Sequence, residues 1–152
     1  MRQQAQVLAL LGSAGLLLGA LAFQYIGGMA PCPLCMWQRW PHVVAFGGAV
    51  ALVLPGAIWP LIGAGGAAVS GGIGVYHTGV ERGWWPGPAT CSAGGDLSAL
   101  SPEQLLAQIM SAPVVRCDEV PWEMLGLSMA SWNAVASFGI AALWLLSLRL
   151  KG

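Results

Sequence analysis

Residues 45–79 read AFGGAVALVLPGAIWPLIGAGGAAVSGGIGVYHTG, a run without a single Asp, Glu, Lys or Arg. A helix crosses a bilayer with about 20 apolar residues, so this run is too long for one crossing. Pro55-Gly56 and Pro60 interrupt it where a turn is natural. Two helices follow from that break, at about 37–54 and 58–77. Outward from them, the charge-free run 7–26 supplies a first span at about 7–28, and 127–148 supplies a fourth. The first run exceeds the apolar core of about 7–15 residues in a cleaved signal peptide, and it reads as a retained span. The expectation is an all-α integral membrane protein of one domain. It is a four-transmembrane-helix bundle with a short first outer loop at 29–36 and a long second one at 79–126.

Composition points the same way. Hydrophobic residues make up 57% of the chain and charged residues 8%. Soluble domains are about one quarter charged, so most of this surface has to face lipid. A formal net charge of zero argues against a nucleic-acid partner held through phosphates. All the acids lie between Glu81 and Glu123, whereas Arg2, Arg149 and Lys151 stand at the ends. Four spans put both termini on one side, and cations flanking spans favour the cytoplasm. The expectation is therefore a multi-pass membrane protein with both termini cytoplasmic and both loops facing outward. Arg39 breaks this pattern at the outer end of the second span. An Arg placed there is a functional candidate by default.

Small residues that let helices approach closely recur in two spans: Gly15 and Gly19 in the first, and Gly63, Gly65, Gly66, Ala67, Ala68, Ser70, Gly71, Gly72 and Gly74 in the third. They are not a nucleotide loop, because no strand precedes them. In the long loop, Ser101, Pro102 and Gln104 form a capping-box pattern, with Leu100 and Leu105 at staple positions. The short amphipathic helix that follows would place Leu105, Leu106, Ile109 and Met110 on one face. That face suits the membrane surface or the bundle equally. Trp84 and Trp85 read as interfacial anchors.

The four cysteines, Cys32, Cys35, Cys91 and Cys117, all fall in the outer segments. An oxidising compartment makes disulfides the default there. Two pairs are suggested, although three connectivities are formally possible. Cys32 and Cys35 are close enough to pair locally; Cys91 and Cys117 need the loop to bring them together. Two inert staples are the plain reading. A reactive pair is favoured by Cys35 and Arg39, four positions apart on one helical face near its positive end. That argument weakens if the helix starts only at Pro41. The spacing of the second pair is not that of a zinc ribbon, and no metal is expected. Two disulfides on one membrane face suggest a relay of thiol–disulfide exchanges. The pair at the rim lies where a lipid-soluble two-electron acceptor, a quinone, could reach it.

Pro31-Cys-Pro-Leu-Cys-Met-Trp-Gln-Arg39, Tyr76-His-Thr-Gly-Val-Glu81, and Cys117-Asp-Glu with Trp122 and Leu125-Gly-Leu-Ser-Met129 together resemble the DsbB family, the bacterial disulfide bond formation protein B. The resemblance covers nearly the whole chain. The redox pairs that fit it are the disulfides Cys32–Cys35 and Cys91–Cys117, with the pairing at rest left open. The resemblance further implies that Cys91 forms a mixed disulfide with a periplasmic DsbA-like thiol oxidoreductase and that Cys117 then bridges to Cys32. Cys35 becomes the thiolate that meets the quinone, ubiquinone or menaquinone. Arg39 stands beside it, where a guanidinium stabilises negative charge on a quinone oxygen. His77 matches a quinone-side histidine, and Met129 lines the pocket or simply packs. His42 falls in no family motif and reads as an interface residue. The glycine-rich stretch at Gly94-Gly95 departs from the family pattern. The competing readings are a vitamin K epoxide reductase-like quinone reductase and a tetraspan scaffold with two structural disulfides.

Overall fold

Among the described residues, three helices are long and apolar enough to cross a membrane: α1 (Arg2–Tyr25), α3 (Ile58–Glu81) and α5 (Met129–Arg149). The computed structural model describes residues 1–88, 91, 101–111 and 115–150. Between α1 and α3 the expected helix at 37–54 is built differently. Helix α2 (Pro33–Ala45) starts four residues earlier than expected, then passes into a 3-10 segment, Phe46–Leu52. Its early start has a local cause. Pro33 occupies the first helical position, where its fixed φ suits the helix and its missing N–H costs nothing. Cys32 caps that end through its sulfur. Pro41 lies inside α2 rather than at its start. The tightening after Ala45 coincides with Gly47 and Gly48, which favour the α-helix least after proline. The 13 residues of α2 and 7 of the 3-10 segment rise by about 33 Å together, from 1.5 and 2.0 Å per residue.

Helix α3 extends one turn beyond the expected 77, which places His77 and Glu81 on the same helical face. It is the central element, packed on α2 and α5 along its small residues. A Cβ on Gly66 would stand 2.5 Å from the Pro41 carbonyl oxygen, and one on Gly63 2.5 Å from the Trp144 ring. A Cβ on Gly74 would meet the Ala130 carbonyl at 3.0 Å. Trp144 is fully buried against Ala9, Ala64, Ala67 and Ile140, where a large ring fills the gap the small residues leave. Helix α1 is buried mainly through Ala5, Ala9 and Ser13, while Leu8, Leu11 and Leu18 stay exposed, as lipid contact requires.

The outer segment contains α4 (Pro102–Ser111) and a two-stranded hairpin, β1 (Glu123–Met124) with β2 (Leu127–Ser128). The capping box of α4 is present in both directions: Gln104 N–H donates to Ser101 Oγ at 3.3 Å, and Ser101 N–H donates to Gln104 Oε1 at 3.0 Å. Leu106 and Met110 on this helix are exposed. The staple residue Leu100, the side chains of Leu105 and Ile109, and Gly94-Gly95 lie outside what the structure describes. The hairpin was not expected from the sequence. Leu125 and Gly126 turn it with φ of 55° and 74°, the left-handed pair of a tight primed turn. It delivers Ser128, whose hydroxyl caps α5. Trp85 does not stand free as an anchor. It lies over Gly79, leaving no room there for a Cβ, stacks on Tyr76, and donates Nε1–H to the Tyr76 carbonyl at 2.8 Å.

Candidate functional site

The start of α2 turns a cysteine into a helix cap. Cys32 Sγ accepts the Cys35 N–H at 3.1 Å, the place a Ser or Asp oxygen usually takes. Cys32 is buried and Cys35 half-buried; both are free thiols. The expected Cys32–Cys35 disulfide is thus not formed in this structure. With Cys32 at the cap and Cys35 in the first turn, the link between the two residues is the Cys35 backbone N–H on Cys32 Sγ instead of a covalent bond. Cys91 and Cys117 are disulfide-bonded, with Cα atoms 5.0 Å apart. Cys117 N–H donates to the Cys91 carbonyl at 2.7 Å, and Cys91 N–H to the Pro88 carbonyl at 2.8 Å. Both are fully buried, in one apolar cluster with Cys32, Leu34 and Val80.

That cluster brings the two pairs together. The Cys32 and Cys117 sulfurs and a ring nitrogen of His77 all lie within 4.8 Å of one another. Such a trio could hold a metal only with Cys117 as a free thiolate, and here Cys117 is bonded to Cys91. The Cys35 sulfur and burial both push the Cys32 thiol well above its ordinary range, so Cys32 is a reluctant anion.

His77 is oriented by neighbours the sequence did not single out. Its Nδ1 accepts from Gln38 Nε2 at 2.8 Å. Its Nε2 lies 3.7 Å from Cys32 Sγ and 3.9 Å from a Glu81 carboxylate oxygen. Glu81 also accepts a hydrogen bond from the Ser128 hydroxyl. The Gln38 amide is in turn held from α5, since Asn133 Nδ2 donates to Gln38 Oε1 at 2.8 Å. Ser70 on α3 donates to the Gln38 carbonyl at 2.8 Å. His77 therefore faces the Cys32 sulfur and also lines the cavity beside Cys35. Polar side chains inside apolar helices were the available signal for Gln38 and Asn133.

Arg39 shares α2 with Cys35 at the spacing of one turn, because Pro41 does not begin the helix. Its guanidinium donates to Gln24 Oε1 at 2.6 Å and to the Ala20 carbonyl at 3.3 Å, both on α1. Beside it opens a cavity of about 360 Å³. Cys32, Cys35, Arg39, His77 and Met129 all line it, with Leu16 and Phe23 on its apolar side. The Phe23 and Trp122 rings meet 5.4 Å apart, joining α1 to the outer segment at this cavity. His42 also lines it but is held between Ser13 Oγ at 3.3 Å and Ser137 Oγ at 3.0 Å, tying α1, α2 and α5. On the outer segment, Arg116 pairs with Asp118 at 2.6 Å and holds its carboxyl below the usual range, bracketing Cys117.

A family model, Disulfide bond formation protein DsbB, matches residues 2–147. The chain belongs to the DsbB family. It is 32% identical over 141 residues to Disulfide bond formation protein B of Dechloromonas aromatica (strain RCB), covering 87% of this chain and 83% of that one. It is 35% identical over 153 residues to the protein of that name from Xanthomonas campestris pv. campestris (strain 8004), covering 92% and 86%. The protein of Shewanella frigidimarina (strain NCIMB 400) is 33% identical over 150 residues, covering 93% and 86%. No solved structure gives a significant match. As a DsbB-family chain with three long apolar helices, this is a membrane protein of disulfide bond formation.

Proposed function

We propose that this DsbB-family protein reoxidises a soluble, periplasmic DsbA-like dithiol and hands the electrons to a membrane quinone. The observation that carries the reading is the burial of Cys32 and Cys117 together, with sulfurs within 4.8 Å. Two structural staples have no reason to meet, whereas a relay requires it. In the relay a partner thiolate attacks Cys91 and frees Cys117. In the oxidised protein Cys117 then attacks Cys32 of a Cys32–Cys35 disulfide, that bond breaks and Cys35 leaves as thiolate, while the partner's second thiol displaces Cys91 and closes the partner disulfide. Disulfide exchange conserves electrons at each of these steps. The net reaction takes two electrons and two protons from the partner dithiol, leaving it as a disulfide.

The residues around Cys35 fit a quinone ring. The cavity there is of ligand size, apolar on the α1 side and polar at Arg39. Bound there, a quinone supplies a two-electron acceptor. The chain supplies the thiolate at Cys35, a guanidinium at Arg39 to hold negative charge, and a wall of Leu16 and Phe23 against water.

The reading includes a fourth crossing, formed by α2 and the 3-10 segment. Their rise of about 33 Å matches a hydrocarbon core of about 30 Å. Both termini then lie in the cytoplasm of a bacterial inner membrane, and the cysteines face the periplasm. The test is anaerobic mixing of the purified protein, a reduced DsbA-like dithiol and ubiquinone or menaquinone. Quinol should form in step with partner disulfide; its absence would sink the relay and favour a scaffold.

A further inference from the structure

The relay, on which this inference rests, leaves one sulfur with a difficulty. To restore the Cys91–Cys117 pair, the Cys91 thiolate attacks Cys117 Sγ of the Cys32–Cys117 disulfide. The Cys91–Cys117 bond forms, the Cys32–Cys117 bond breaks, and the electron pair leaves on Cys32 Sγ. Nothing is oxidised on balance. Cys32 is 3% exposed, so water cannot solvate the departing charge. Protein donors have to do so.

Two donors converge on that sulfur. One is the Cys35 N–H at the helix start, at 3.1 Å. The other is His77 Nε2 at 3.7 Å. Which nitrogen of His77 carries hydrogen follows from its other side. Gln38 uses its Oε1 to accept from Asn133, so its Nε2 end faces His77 Nδ1 and donates to it at 2.8 Å. Nδ1 is thereby an acceptor, and the hydrogen of the neutral ring sits on Nε2, facing Cys32. We propose that His77 is the hydrogen-bond donor that receives the charge on Cys32 when the Cys32–Cys117 disulfide opens, and that Gln38, braced by Asn133, is the positioning residue that sets its tautomer. Quinone contact is not needed for this role.

The titratable and charged groups facing the cluster are Cys35, Arg39 and His42 from α2 and Glu81 from α3. The outer segment contributes the Cys91–Cys117 pair, Arg116 and Glu119. Among the described lining residues, α1 and α5 contribute no titratable group. Glu81 is the carboxylate in contact with His77 Nε2 and is the group whose own titration has to be separated.

The test uses the full-length Cys35→Ser protein, in which Cys117 is shared between Cys91 and Cys32. Alkylation of free thiols followed by peptide mass spectrometry reads the ratio of Cys91–Cys117 to Cys32–Cys117. His77→Leu should shift this ratio roughly tenfold towards Cys32–Cys117. The shift should be small near neutral pH and grow as the pH rises through and above the ordinary thiol range, because only the Cys32 anion loses a donor and burial delays that anion to higher pH. His77→Gln, which keeps an N–H, should stay closer to the parent. Gln38→Leu should shift the ratio in the same direction by less. The pH trend should persist with Glu81→Gln. A pH-independent shift, no shift, a Gln variant no better than Leu, or a trend lost with Glu81→Gln would each overturn the assignment. If His77→Leu does not fold, Gln38→Leu carries the same two outcomes. The readout needs no quinone, so failure here leaves the relay standing, and absence of quinol in the unmodified protein is the separate failure of the relay.

Discussion

At the scale of single residues, Arg39 and Cys91 separate the two ends of the proposed relay. The Arg39 guanidinium is tied to α1 through Gln24 and Ala20 and borders the cavity beside Cys35. Arg39→Ala should raise the quinone KM about tenfold, while lowering the unfolding free energy by only about 1 kcal/mol. Steady-state quinone reduction alongside denaturant titration measures both, and unchanged quinone kinetics would remove Arg39 from the site. Cys91→Ser should abolish turnover with the protein dithiol yet leave Cys32 and Cys35 oxidisable by quinone. A Cys91→Ser protein that still turns over with the partner would break the proposed order. Cys35 and Arg39 were legible in the sequence as a pair because their spacing on one helix is local. Gln38 and Asn133 were not, since each acts by contact with a different helix.

Among the elements, α3 is the one whose side-chain economy can be tested directly. Gly66 and Gly65 are neighbours on one helix, yet only Gly66 faces Pro41 and Ala45 of α2, and a Cβ on Gly65 would meet nothing within 4 Å. Gly66→Ala should destabilise the protein by about 1–3 kcal/mol, because the helices cannot separate without losing their other contacts. Gly65→Ala should be neutral or slightly stabilising through helix propensity. Thermal unfolding in detergent distinguishes them, and equal midpoints would contradict this packing. The small-residue stripe was readable from sequence, but the face each glycine serves was not. Similarly, Pro55-Gly56 marked the end of the second stretch correctly, whereas its start required the cap that Cys32 makes with its sulfur. A thiol cap leaves no signature in residue type, and the primed turn at Leu125-Gly126 puts a leucine where glycine or asparagine is usual.

For the whole molecule, the charge distribution makes the topology testable. The acids gather between Glu81 and Glu123 and the terminal cations stand outside the spans. Tags at either end should resist protease added to the outside of spheroplasts, while a tag in the long loop should be cleaved. Opposite protection of the two ends would refute the proposed fourth crossing at α2 and the 3-10 segment. By itself the sequence determined that this chain is a membrane protein, where its apolar runs break, and that its four cysteines lie outside the long apolar runs at 7–26, 58–77 and 127–148, because hydrophobicity, proline and spacing are local properties read residue by residue. Only the tertiary structure decided that Cys32 meets Cys117, that His77 turns its Nε2 to sulfur, and that Pro41 lies within α2. Those depend on which faces α2, α3 and α5 present to one another, and that is set by close packing across the bundle rather than by any one segment.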